Sequence, residues 1–198
     1  LSVTTFSNAT RGFQMGTSTQ GSSPSDLDEI EMTIIQTKGS SVIFGELGGD
    51  SYLTGSLQSF GGAASQTRGI IFNGKSSPNA SRNVIEFLTL ATFGNSQNFG
   101  DLNGGRSSAA GLSSATRGLI GAGYITPTGI NTIEFITIAT LGNSTDFGDC
   151  TVARYGRGST TDCIRGVFAG GAGPAITNVM DYVNISTFGD AVDFGDFH

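Results

Sequence analysis

The 198-residue sequence predicts an all-β protein built from four tandem units of about 48 residues. Three observations predict it. An Arg-Gly pair recurs as Arg11-Gly12, Arg68-Gly69, Arg117-Gly118 and Arg165-Gly166, at spacings of 57, 49 and 48 positions. An acidic residue sits inside an apolar run of each unit, as Glu31, Glu86, Glu134 and Asp181. Each acid is followed 13 positions later by a Phe that precedes Gly: Phe44, Phe99, Phe147 and Phe194. A constant interval requires a constant backbone path, so this stretch is one structural unit. Length varies elsewhere: 24 positions separate Phe44 from Arg68, against 18 in the next two units. Variable lengths mark loops. The units run over roughly 1–46, 47–101, 102–149 and 150–198 of a single repeat domain. The first is the divergent one, as a terminal repeat is expected to be.

Within a unit the residues read as strands, most clearly in the third. Residues 117–124 (RGLIGAGY) mix apolar side chains with Gly, which suits a buried strand where backbones approach closely. Residues 126–129, Thr-Pro-Thr-Gly, are a turn. Residues 131–140 (NTIEFITIAT) sort by parity into two faces, the mark of a strand with different neighbours on each side. Leu141-Gly142-Asn143 supplies a second turn, and the DFGD segment follows. That gives three to four short strands per unit, and no window of ten or more residues has helical periodicity.

Composition agrees. Charged residues make up 13% of the chain, against about a quarter in an average domain. Gly reaches 31 residues, Phe 14, and Pro only 4, which is strand-and-turn chemistry rather than a disordered tract. A net charge of -6 argues against nucleic acid, whose binders carry a basic face. No run approaches 18 apolar residues, so no membrane-inserting helix is expected. No secretory leader is readable at the start, and a chain that begins with Leu1 reads as a processed product or part of something longer. Two readings stay open for Cys150 and Cys163: a bridge across a hairpin in an oxidising compartment, or two buried free thiols.

A unit this small cannot bury its own apolar face, so neighbouring units must cover it. Small antiparallel sheets packed side by side give either a radial propeller or a linear stack. Alignment of Arg11 with Arg117 puts Leu1 at the place of Ser107, while His198 matches Asn103. This phase suits a four-bladed ring closed through its terminal strands. The same phase suits a head-to-tail fibre in which one subunit's end completes the next subunit's sheet, but the four-bladed propeller is the favoured reading and a linear stack the alternative.

Residues 166–171 (GVFAGG), a turn, then residues 178–187 (NVMDYVNIST) resemble a Kelch blade, in which a hydrophobic strand closing on a double Gly precedes an acidic-aromatic strand. Arg106 and Arg154, five positions after Asp101 and Asp149, resemble the Arg that opens the next Kelch motif. The variant carrying TRG, NxIxFxTIxTxGN and DFGD is similar to Kelch-like repeats in virion proteins of phages infecting aquatic cyanobacteria. The resemblance spans the chain and is weakest over residues 1–66. Only the fourth unit keeps the double Gly, Gly170-Gly171, and the usual blade Trp is absent. Phe44, Phe99, Phe147 and Phe194 are expected to fill its packing place. The resemblance implies a small β-propeller on a virion or otherwise outside a cell, with other virion or fibre proteins, or a cell-surface glycan, as partners.

For the in-step charges Arg11, Arg68, Arg117, Arg165, Glu31, Glu86, Glu134 and Asp181, the favoured reading is an Arg–carboxylate or Arg–carbonyl contact that sets blade geometry. The competing reading is a ring of ligand-binding charges. Because the contact is copied in every unit, architecture explains it better than function does. The DFGD acids could hold Ca²⁺, but lack the spacing of known loops, so a turn with Asx hydrogen bonds is favoured. The single His, His198, is terminal, so no internal Ser-His-Asp triad or His-based metal site can be assembled, and no cofactor is expected. Asn8, Asn79, Asn143 and Asn184 head glycosylation triplets, meaningful only in a secreted chain. The expectation is a non-enzymatic structural or attachment module of a virion, such as a decoration or tail-fibre protein. It would display unlike side chains in its variable loops, residues 18–26 and 48–60. A fibre subunit polymerising through terminal strands is the alternative, and a glycan-acting enzyme the third reading.

Overall fold

The computed structural model describes residues 4–15, 29–48, 61–72, 74–76 and 80–198. Their regular elements are all β-strands, arranged as four antiparallel meander sheets. The first sheet holds β1 (Thr4–Ser7), β2 (Arg11–Met15), β3 (Glu29–Ile34) and β4 (Val42–Glu46) in chain order. The second holds β5 (Gly61–Ala64), β6 (Arg68–Phe72), β8 (Ala80–Thr89) and β9 (Gln97–Arg106), with short β7 (Lys75–Ser76) also paired to β8. The third holds β10 (Ala110–Ser113), β11 (Arg117–Ile125), β12 (Thr128–Thr137) and β13 (Thr145–Asp149). The fourth holds β14 (Gly158–Thr161), β15 (Arg165–Ala169), β16 (Val179–Asn184) and β17 (Val192–Asp196). Each repeat of the sequence is therefore one four-stranded meander. The second sheet outruns its sequence boundary at 101, because β9 continues to Arg106, which pairs with Arg82.

Turn chemistry fixes the first hairpin of every sheet. Three residues before each repeated Arg stands a side-chain oxygen that accepts that Arg's backbone N–H: Asn8, Ser65, Ser114 and Asp162. The same oxygen accepts a second backbone N–H in the turn, from Thr10, Thr67, Thr116 or Ile164. Asn, Ser and Asp favour turns for this reason.

The third and fourth strands of every sheet share an irregularity. Register shifts fall between Ile30 and Glu31, Ile85 and Glu86, Ile133 and Glu134, and Met180 and Asp181. Opposite each lies the Gly after the repeated Phe, and Gly100, Gly148 and Gly195 have φ of 153°, 148° and 125°. The DFGD segments are thus bulged outer strands rather than the expected turns, and a bulge of this kind needs a Gly. One Asx bond of the expected sort is present, from Gly195 N to Asp193 Oδ1.

The sheets pack face to face in chain order, and three apolar clusters fill the joints. Phe13, Met32 and Phe44 of the first sheet meet Ile71, Leu88 and Leu90 of the second. Ile70, Phe87 and Phe99 meet Ile120, Ile136 and Ile138 of the third. Leu119, Ile133 and Phe147 meet Phe168, Val183 and Ile185 of the fourth. The middle sheets are covered on both faces, so β6 and β11 are buried at nearly every position. Hence their continuous apolar runs. Among the described residues the end sheets are covered on one face only, and β2 and β15 alternate. The first strands lie side by side, β1 with β5, β5 with β10 and β10 with β14.

Candidate functional site

Three of the four repeated Arg side chains act between sheets. Arg11 donates to Leu90 O at 2.6 Å, Arg68 to Ile138 O at 2.9 Å, and Arg117 to Ile185 O at 2.8 Å. Arg68 also stacks 4.9 Å over Phe87, and Arg117 lies 5.3 Å from the Phe135 ring. Among the described residues Arg165 has only the stacking half, 5.1 Å over Tyr182 of its own sheet, and is exposed. None of these bonds runs to the in-step acids.

The acids meet other residues. Glu134 pairs with Arg106 and accepts from Asn103 N at 2.9 Å and from the Ser144 hydroxyl. Asp181 pairs with Arg154 at 2.6 Å and accepts from Thr151 N and the Thr151 hydroxyl. Both pairs are buried to within 3% of full coverage. Arg106 and Arg154 lie on the path from one sheet to the next, so each pair ties that path to the sheet it enters. Burial, with Arg157 nearby, pushes the Arg106 guanidinium down to about 10. Glu86 is likewise buried, whereas Glu31 is half-buried and accepts from Gln14 Nε2 at 2.7 Å and Ser41 Oγ at 3.2 Å.

A backbone clasp completes each joint. Gly94 N and Ser96 N donate to Phe44 O and Glu46 O, Gly142 N and Ser144 N to Phe99 O and Asp101 O, and Gly189 N and Ala191 N to Phe147 O and Asp149 O. A side-chain oxygen between the two donors accepts in return: Asn95 Oδ1 from Glu46 N, Asn143 Oδ1 from Asp101 N and Asp190 Oδ1 from Asp149 N. The approach is so close that a Cβ on Gly45, Gly100 or Gly148 would sit 2.1–2.4 Å from the facing Gly carbonyl oxygen. The repeated Phe anchors the same place: Phe44, Phe99 and Phe147 are each 3% exposed, but Phe194 is 52% exposed and fills no joint.

One cleft, of about 470 Å³, is lined by the first strand of every sheet. Its lining is mostly uncharged and hydroxylic or amide: Thr5, Ser7, Gln14, Ser113, Ser159 and Thr160.

The remaining sequence candidates are dispersed. Cys150 and Cys163 are free thiols, the first buried and the second exposed. Burial pushes the Cys150 thiol up. Asn143 holds a clasp and Asn8 a hairpin turn, where its Nδ2 also donates to Gln66 O. Asn184 accepts from Ser186, and Asn79 lies outside the described residues. So do residues 18–26 and nearly all of 48–60, the loops expected to carry display. Sequence reasoning missed the turn residues Asn8, Ser65, Ser114 and Asp162, although their constant place three before the Arg was a readable signal. A scan against protein-family models finds no matching family, and a search of curated proteins finds no matching relative.

Proposed function

We propose that this chain is a non-enzymatic structural and attachment module working outside the cell, of the kind that decorates a virion or builds a tail fibre. What carries the reading is the use made of its recurring polar groups. Arg11, Arg68, Arg117, Glu134 and Asp181 all make contacts that join one sheet to the next or tie down the path between them. A ligand-binding ring would turn such charges toward a common opening. The same reading takes the four sheets as blades of a Kelch-like propeller, supported by β1, β5, β10 and β14 lining one cleft as innermost blade strands do. Partners are then other copies of the chain or other particle proteins.

A second reading, attachment to a cell-surface glycan, is favoured by the hydroxyl-rich cleft, whose uncharged donors and acceptors suit a polyhydroxylated ligand. Cryo-electron microscopy of native material tests the first: four-sheet units at regular positions on an extracellular particle are expected, and the protein found only free in solution overturns it. A glycan array tests the second, with retention abolished by Thr5→Val as the expected result and no retained glycan as the contrary one.

A further inference from the structure

Among the described residues, the buried side-chain polar atoms left without a hydrogen bond are all arginine N–H donors, and they lie on three arginines of one region. They are Nε of Arg106, Nε of Arg154 and all three guanidinium nitrogens of Arg157. No side-chain acceptor among the described residues is left in the same state. Arg157 lies close enough to Arg106 and to Arg154 for their charges to repel. Arg106 is paired with Glu134, and Arg154 with Asp181. Three buried cations against two carboxylates leave one positive charge over. A desolvated charge is costly unless an opposite charge or several acceptors meet it.

The excess sits where the repeat is broken. Arg157 precedes β14 as Ala109 precedes β10, and Cys150 follows Phe147 by three positions as Leu102 follows Phe99. Gly121 holds the place in β11 that Phe72 holds in β6, each paired with the first residue of the strand before it. Phe72, Leu102 and Ala109 belong to the apolar cluster of the second joint. The third joint replaces them with Gly, a thiol and a guanidinium. Volume accounts for part of the exchange. The small Gly121 makes room, since a Cβ there would lie 2.7 Å from the Phe168 ring and 2.9 Å from an Arg157 nitrogen. Volume does not call for a charge, because an apolar side chain would fill the same space. Phe168 lies 4.7 Å beneath the guanidinium and offsets its charge in part. The Cys150 thiol stands beside it, a weak donor and a weak acceptor that supplies no counter-charge while protonated.

We propose that the joint between the third and fourth sheets binds one small monovalent anion of the chloride class, held by the unpartnered N–H groups of Arg157. One negative charge matches the surplus of one, and an anion accepts from several donors at once. The Cys150 S–H is a further donor, and Arg106 and Arg154 add their field. A small ion suits the place because Gly121 and Phe168 press on the guanidinium. It has a way in: Gly156 and Gly158, on either side of Arg157, are exposed, and a Cβ on either would meet nothing within 4 Å. Neither the attachment reading nor the propeller reading is needed for this site.

Urea denaturation at constant ionic strength, with chloride replacing gluconate, tests the proposal. The unfolding constant of the wild-type chain is expected to fall as chloride rises, approaching about tenfold per tenfold of chloride once the site fills. Arg157→Met keeps the length of the stem and removes the donors, so its stability is expected to ignore the exchange. A wild-type chain equally stable in both salts overturns the proposal, and so does a dependence that survives in Arg157→Met. Wild-type crystals grown in bromide give a reading that does not require the variant to fold. An anomalous peak within hydrogen-bond reach of Arg157 is expected, and its absence overturns the proposal. A peak without any chloride dependence of stability marks an adventitious ion only, and overturns it as well. Native thiolate absorbance that disappears in Cys150→Ala makes the sulfur the counter-charge, with the same consequence.

Discussion

The guanidinium of Arg68 donates to the carbonyl oxygens of Ile138 and Ala139, at 2.9 and 3.0 Å, 70 and 71 residues along the chain and one sheet away. A charged donor on a carbonyl contributes about 1.5–3 kcal/mol, and the stacking on Phe87 adds to it. Arg68→Ala is therefore expected to lower stability to urea by at least that amount. Arg165→Ala, at the equivalent position but exposed and, among the described residues, bonded to no carbonyl of another sheet, is expected to stay within about 0.5 kcal/mol.

Glu134 is 1% exposed and faces Arg106, which is 3% exposed. Removing one partner of a buried pair strands the other charge, at a cost of about 3–5 kcal/mol. Glu134→Gln is expected to show that loss in chemical denaturation. Glu31→Gln, half-buried and bonded to neutral Gln14 and Ser41, is expected to cost about 1 kcal/mol.

Gly100 has φ of 153° and would place a Cβ 2.3 Å from Gly142 O, while Gly195, at φ 125°, would meet nothing within 4 Å. Gly100→Ala carries backbone strain of about 1–3 kcal/mol plus the clash; Gly195→Ala carries the strain alone. Melting temperatures of the dilute variants are expected to rank Gly100→Ala below Gly195→Ala, and equal values would argue against the close clasp.

Cys163 is exposed, whereas Cys150 is buried with its thiol pushed up by burial, which suppresses the reactive thiolate. One thiol per native chain is expected to react with a soluble disulfide reagent, and two after denaturation.

Asp162 caps the first hairpin of the fourth sheet by accepting from Arg165 N at 2.6 Å and Ile164 N at 2.8 Å. These bonds, that to Arg165 foremost, hold its carboxyl below the usual range. A depressed folded-state value means that the cap is fully present above the ordinary carboxylate pKa and is lost as pH falls through the lowered one. Side-chain NMR of Asp162 is expected to show a midpoint below that of Asp162 in the urea-unfolded chain.

The number of units, their all-β character and the fixed stretch from acid to Phe were legible in the sequence, because strand pairing copies a local pattern of apolar spacing and turn residues. Even the end sheets left a trace: RGFQM in β2 alternates where RGIIF in β6 does not. The partners of the repeated Arg were legible only as a choice between a carboxylate and a carbonyl. Arg68 and Glu86 recur in step and invite pairing, yet the Arg bonds carbonyls of the following sheet. The acids of the last two units find Arg106 and Arg154 on the connecting path. A side chain's partner depends on which face of its strand turns toward which neighbouring sheet, and a one-residue bulge such as that between Ile133 and Glu134 resets that face. The sequence by itself determined the unit and its strands, through local propensity and periodicity. Only the tertiary structure decided how units meet, because that depends on packing between residues far apart in the chain.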